Sequence, residues 1–208
     1  LKSKGVDFKF VPGVEFYFHP DLKQWQRDIA SARDKRNDVS SDADDGQDGQ
    51  APASIENEEE TKQTKWFDPV KRRHHLVVLA KDRRGLENLY TLVTRGYDEG
   101  LYRFPRIDFD MLKTHSEGLV VSTACIGGPI AYEVMKQYSE TAWEAMLPNV
   151  GSVELFEETQ KRIAEVVGRF VECVGEENFF LELQFNRLAV QHLVNRHIIA
   201  ASKRSGVK

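Results

Sequence analysis

The sequence has few of the features that mark secreted or membrane proteins. It contains two cysteines, Cys125 and Cys173, which lie far apart and do not form the disulfide framework of a small secreted domain. No apolar run approaches the roughly 20 residues that a membrane helix needs. No basic segment followed by an apolar segment opens the chain, as a secretory signal would. We therefore expect a cytoplasmic protein without a membrane-embedded part.

A surplus of basic residues is also missing. The chain has 29 Lys and Arg against 33 Asp and Glu, a net charge of -4, so its overall charge makes no case for DNA binding. Much of the acid lies between residues 42 and 60, however, and the rest of the chain is mildly basic. The folded part can therefore still face a phosphate backbone.

Aliphatic residues are nearly absent from about Gln24 to Lys65, a segment rich in Asp, Glu, Gln and Ser. Such a segment cannot bury enough apolar surface to offset its ordering entropy. We predict a polar surface insertion over residues 24–65 with a disordered acidic centre at 37–62, and a short charged helix over 22–36 at its base.

Both ends of the chain resemble internal positions of a longer protein. The first residue is Leu1 rather than methionine, and the last three residues, 206–208, read as the approach to another strand. The length of 208 residues is sufficient for a substantial core. We expect residues 1–208 to form one partial domain that is truncated at both ends.

Outside the insertion, predicted strands and helices alternate. Strands separated by helices require crossover connections, which favours an α/β fold with a parallel sheet, either open or closed into a barrel. The predicted strands are FVPGVEFYF (10–18), HHLVVLAK (74–81), GLVVSTA (118–124) and NFFLELQF (178–185). The predicted helices are 84–97, 109–115 with Asp108 as N-cap, 129 to about 138, 152–174 with Ser152 as N-cap, and 188–203.

Three potential metal ligands occupy these predicted strands or their ends. Glu15 lies within the first strand, His74 and His75 begin the second, and Cys125 follows the third. Carboxylate, imidazole and thiolate together suit zinc, and the thiolate favours zinc over magnesium. Neighbouring strand residues point to opposite faces, so at most one histidine can join the site. Taken singly, each residue also has a structural interpretation, as an exposed strand edge or a core position.

Basic and aromatic residues form a further candidate site around Pro105. Arg103 and Arg106 alternate with Tyr102 and Phe104, a combination that can hold a nucleic-acid backbone or stack on a base. A second basic run, Lys71–Arg73, directly precedes the histidine pair. The solvated end of the insertion is an equally good explanation of that run.

Several long motifs together resemble one known family. PGVEFYF, HHLVVLAKDRRGLENLYTLVTRGYDEGLYRFPRIDFDMLKTHSEGLVVSTACIGG and FFLELQ are similar, in order, to landmarks of the PHP (polymerase and histidinol phosphatase) domain of bacterial-type DNA polymerase III alpha subunits. The resemblance implies part of a distorted (β/α)7 barrel with divalent metal ions at its mouth. Matched position by position, it makes Glu15, His75 and Cys125 metal ligands and leaves Arg106 as a candidate phosphate contact.

The resemblance also implies that the metal site is incomplete in this chain. The family's His-X-His element should precede Leu1, and its Asp-X-His element should follow Lys208. Zinc is the expected metal, with magnesium or manganese as alternatives. We therefore expect the chain to be inactive by itself.

For the intact protein, the resemblance implies a replicative DNA-directed DNA polymerase whose PHP domain is a metal-dependent 3′–5′ exonuclease. Its expected partners are DNA and other replicase subunits, namely a proofreading subunit and a sliding clamp. One alternative is a non-catalytic PHP scaffold that supports the polymerase and docks partners. A less favoured alternative is an independent phosphoesterase, since it would make the polymerase-like landmarks coincidental.

Overall fold

A computed structural model describes residues 9–41, 68–137 and 147–208. The side chains of residues 35–41 and of Leu147 are outside this description. Most of the predicted acidic insertion, residues 42–65, also lies outside the described residues. The predicted helix at its base is present and runs from Leu22 to Ser41, longer than the sequence pattern indicated.

The described residues form a mixed α/β structure with one five-stranded sheet. The strands are β1 (Gly13–Phe18), β2 (His74–Ala80), β3 (Arg106–Ile107), β4 (Leu119–Ser122) and β5 (Phe179–Phe180). The α-helices are α1 (Leu22–Ser41), α2 (Arg83–Glu99), α3 (Phe109–Thr114), α4 (Pro129–Met135), α5 (Glu157–Val174) and α6 (Ala189–Ser205). Two short 3-10 helices cover Leu147–Asn149 and Glu176–Asn178. This architecture is consistent with the expected fragment of a PHP barrel.

The prediction of a parallel sheet is wrong at β2. The strand order is β3-β1-β2-β4-β5, and β2 runs antiparallel to both of its neighbours, whereas β1 with β3 and β4 with β5 are parallel. In the antiparallel pair of β1 and β2, Phe18 lies opposite His74. The start of β2 therefore lies beside the carboxyl-terminal end of β1.

The core lies on one face of this sheet. Along β2, alternate side chains from His74 to Ala80 are buried and those between them are half-buried, the period-2 pattern of a strand with one covered face. Helices α2, α4 and α5 contact β2 or β4. A cluster of aromatic rings fills the centre, and the stacked rings of Phe170 and Phe179 have centroids 5.0 Å apart.

Two predicted boundaries differ from the structure. Helix α5 begins at Glu157 after Phe156, and the Ser152 hydroxyl donates to the carbonyl of Asn149 rather than capping the helix. The strand predicted over 178–185 is regular only at Phe179–Phe180. The predicted N-cap of α3 is confirmed, since the Asp108 carboxylate accepts the Met111 N–H at 2.9 Å.

The ends of α5 and α6 show how the sequence terminates helices. Gly175 and Gly206, which follow them directly, have φ angles of 83° and 79°. Only glycine adopts such angles without steric cost. Within the described ranges, no helix combines the length and the apolar character that a membrane crossing requires.

Candidate metal centre

Pairing of β1 with β2 brings Glu15 and His75 together. In the antiparallel register Glu15 lies opposite Val77, and Tyr17 lies opposite His75. Glu15 and His75 are thus diagonal neighbours on the same face of the sheet, within reach of each other's side chains. The His75 Nδ1 atom lies 2.6 Å from a Glu15 carboxylate oxygen.

Cys125 approaches the same point from the turn after β4. Its Sγ atom is 3.6 Å from the His75 Nδ1 atom. The turn is tight, because Ala124 has a φ of 57° and the Gly128 N–H bonds the Cys125 carbonyl at 2.8 Å. The Gly127 N–H donates to the Cys125 sulfur at 3.3 Å and fixes its direction.

Ligand atoms of Glu15, His75 and Cys125 all lie within 4.8 Å of one another. Donors around a tetrahedral zinc ion at normal bond lengths stand roughly 3.3–3.7 Å apart. The distance of 3.6 Å between the Cys125 sulfur and the His75 nitrogen lies within this range. The distance of 2.6 Å between the His75 nitrogen and the Glu15 oxygen is shorter, but a change of one side-chain rotamer is enough to lengthen it into the range. The donor set and its spacing fit a divalent ion.

The three side chains remain accessible to solvent. The Glu15 side chain is 57% exposed and that of His75 is 35% exposed, while Cys125 is half-buried. Glu15 is therefore not a carboxylate buried among aromatic residues. Its accessibility leaves room for water or further ligands beside the three donors.

His74, the neighbouring histidine, points to the opposite face and is buried there. The Arg72 Nε donates to its Nε2 at 3.0 Å, and its ring packs edge-on against Tyr132. Burial, and secondly the positive charge of Arg72, lower the pKa of His74 well below its usual value. His74 is thus a neutral core residue, and the structure brings His75 rather than His74 to Glu15 and Cys125.

Arg106 occupies a different position from the one expected of a phosphate contact. It is only 1% exposed, its guanidinium lies 4.4 Å from the centre of the Trp25 ring, and burial lowers its pKa to about 10. Its Nε and Nη1 atoms donate to three backbone carbonyls, those of Arg72, Tyr102 and Phe104. These contacts use the guanidinium inside the protein, so we assign Arg106 a structural role.

A basic cleft adjoins His75, one of the three potential ligands. Its volume is about 340 Å³. The lining residues are Lys71, Arg72, Arg73, His74, His75, Gly127 and Tyr132. Three adjacent cations thus lie beside His75. Their signal in the sequence is the run Lys71–Arg73 directly before the histidine pair.

Gly127 sets the position of the His75 ring. A Cβ atom at Gly127 would lie 3.0 Å from the ring's Cδ2 and 3.1 Å from its Cγ, closer than normal packing distances. The Gly127 carbonyl also accepts the His75 N–H at 2.9 Å. The turn therefore holds the histidine by its backbone, and the missing Cβ at Gly127 leaves space for its ring.

Replacing Gly127 with alanine is expected to weaken zinc binding by about tenfold, because outer supporting groups typically contribute 10–100-fold to metal affinity. Competition against a chromophoric chelator measures this change. The control is Gly168→Ala in α5, where an added Cβ meets nothing within 4 Å. Unchanged affinity in Gly127→Ala would show that the turn does not position His75.

Comparison with known proteins agrees with this architecture. The family model described as "PHP domain" matches residues 1–186. The chain belongs to the PHP domain family. Its similar proteins include the DNA polymerase III subunit alpha of Aquifex aeolicus (strain VF5), with 34% identity over 138 residues, covering 66% of this chain and 10% of that protein.

Two further relatives carry the same description. The DNA polymerase III subunit alpha of Chlamydia trachomatis is 34% identical over 149 residues, and that of Chlamydia muridarum is 36% identical over 151 residues. Each alignment covers 68% of this chain and 12% of the relative. The chain thus spans about a tenth of the length of these relatives.

Proposed function

We propose that residues 1–208 are a partial PHP domain of a replicative DNA polymerase and that Glu15, His75 and Cys125 bind a divalent metal ion. The observation that carries this proposal is the convergence of the three ligand atoms within 4.8 Å, from two strands and one turn. The similarity to polymerase alpha subunits supports the wider assignment. Cytoplasmic DNA replication is the corresponding setting, and the insertion at 24–65 is a local feature of this domain.

The thiolate makes zinc the favoured ion, since magnesium and manganese prefer oxygen ligands. A bound divalent ion supplies a nucleophilic hydroxide near neutral pH and neutralises charge on a phosphate. The chain provides three donors, and zinc sites need at least one more ligand or water. Water would supply the remaining ligand, since the side chains of Glu15 and His75 are accessible to solvent.

The reaction we propose for the intact protein is 3′–5′ hydrolysis of a DNA strand. Lys71, Arg72 and Arg73 line the adjoining cleft, where their positive charges attract a phosphodiester. The Arg72 guanidinium is held in place by His74 and by the Tyr132 ring, whose centre lies 4.2 Å away. The cleft thus places a phosphate beside His75, one of the three ligands. DNA, a proofreading subunit and a sliding clamp are the partners we propose for the intact protein.

The test is the substitution Glu15→Gln in the intact protein, assayed without a separate proofreading subunit. Exonuclease activity is expected to fall at least about 100-fold, because removing a direct ligand should exceed the 10–100-fold effect of outer groups. Polymerisation should persist, since it would reside in another domain.

The matched control is Glu117→Gln, which changes an exposed carboxylate paired with Arg84. It should leave both activities unchanged. An exonuclease that is insensitive to Glu15→Gln would contradict the proposed reaction. Zinc binding without any hydrolysis would instead favour a non-catalytic scaffold, a role compatible with a site of three donors.

A further inference from the structure

A second cleft, of about 350 Å³, has Glu15 in its lining. It contains the aromatic side chains of Tyr17, Tyr97 and Phe104 together with Pro105. Phe104 is 42% exposed and Tyr97 is 55% exposed, so their rings are available to a ligand. Because Glu15 lines this cleft, whatever occupies it lies beside one of the proposed metal ligands.

The rings in this region form a continuous path from the metal ligands. The Tyr17 ring centre is 5.4 Å from that of His75 and 5.3 Å from that of Phe104, both in edge-to-face geometry. The Arg73 guanidinium lies over both rings, 5.1 Å from the centre of Tyr17 and 4.8 Å from that of Phe104. These cation–π contacts hold an exposed positive charge against the aromatic surface.

Within the described part of the chain, two cations at this path lack acidic partners. Lys71 is paired with Asp68 at 3.0 Å, but Arg73 and Arg103 make no ion pair with any carboxylate of the described residues. A third cleft joins them, with Lys71, Arg73, Arg103 and Phe104 in its lining. Arg103 has a φ of 62°, so the backbone turns sharply where its exposed side chain begins.

We propose that this strip binds the end of single-stranded DNA, with a terminal base in the cleft of Tyr17, Tyr97 and Phe104 and its backbone along Arg73 and Arg103. Aromatic rings stack on any base, and unpaired arginines bind phosphate, the combination that single-strand binding uses. An apolar peptide would match the rings but leave the two arginines without partners. The inference rests on the proposed exonuclease, because it places a terminal nucleotide next to Glu15 and His75.

Photo-crosslinking of the intact protein tests this strip without requiring hydrolysis. The probe is a single-stranded oligodeoxynucleotide with 5-iododeoxyuridine at its 3′ end, irradiated in the presence of a chelator and mapped by mass spectrometry. We expect an adduct on Tyr17, Tyr97 or Phe104. Phe104→Ala should lower its yield about fivefold or more, since loss of one stacking ring typically weakens binding by at least this factor.

The control is Phe156→Ala, because Phe156 is also 42% exposed and is not among the residues that line this cleft. It should leave the adduct unchanged, as should Cys125→Ser, which alters the proposed metal site alone. Adducts found only elsewhere, or insensitive to Phe104→Ala, would overturn the inference. An adduct in the cleft without any Glu15-dependent hydrolysis would refute the proposed reaction but not the strip.

Discussion

Replacing Cys125 with serine is expected to lower zinc affinity by about 100-fold or more while changing manganese affinity by less than about tenfold. The reason is ligand softness, since a thiolate selects zinc and a hydroxyl does not, whereas manganese prefers oxygen donors. Titration of the metal-free protein with each ion measures the two affinities. The turn should survive, because serine can still accept the Gly127 N–H that now bonds the sulfur.

Cys173→Ser is the control for this prediction. Cys173 lies in α5, buried against the Phe109 carbonyl, and burial raises the pKa of its thiol to about 11. A thiol in such surroundings does not ionise near neutral pH, so its replacement should not alter metal affinity. If Cys125→Ser and wild type bound zinc equally, Cys125 would not be a ligand.

Arg106→Met is expected to destabilise the fold by about 3 kcal/mol, because three backbone carbonyls would lose their charged donor inside the protein. Urea unfolding measures this loss. Methionine fills much of the same volume, so no large cavity forms. The loss in free energy of unfolding therefore measures the lost hydrogen bonds and the lost contact with Trp25.

Arg103→Met provides the comparison for Arg106, because Arg103 is exposed in the same segment and should change stability by less than about 0.5 kcal/mol. Equal stability of the two variants would contradict the structural role of Arg106. If Arg106→Met had a normal free energy of unfolding but bound DNA more weakly, Arg106 would be a phosphate contact, as expected from the sequence.

Much of the fold could be predicted from local patterns. Strand β2 has a regular alternation, and helices α2 and α6 have apolar residues at helical spacing, so their bounds agree with the predictions within two residues. The length of the strand predicted at 178–185 is too great. Its apolar residues continue to alternate after Phe180, but only Phe179 and Phe180 pair with β4. Strand pairing depends on the neighbouring strand, which the local pattern does not contain.

The direction of β2 was the main feature that the sequence did not reveal. The polar insertion between β1 and β2 has no hydrophobic periodicity, so its sequence does not indicate the relative direction of the two strands. This one feature explains why a histidine at the start of a strand meets a carboxylate from another strand. The proposed ligand residues could be named from family resemblance, but their convergence could not be derived from spacing.

Arg106 and Arg73 show a second limit of sequence reasoning. Both guanidinium groups lie over aromatic rings in the structure, yet that of Arg106 is buried against Trp25 and that of Arg73 is exposed over Tyr17 and Phe104. Composition alone treats them alike. Their roles separate only when burial and hydrogen-bond partners are known.

X-ray absorption at the zinc edge tests the central assignment most directly. The intact protein would be loaded with zinc and compared with its Cys125→Ser variant. The proposed centre predicts a sulfur scatterer at about 2.3 Å in the wild type that is lost in the variant, beside nitrogen and oxygen at about 2.0–2.2 Å. Identical spectra for the two proteins would contradict zinc binding by Glu15, His75 and Cys125.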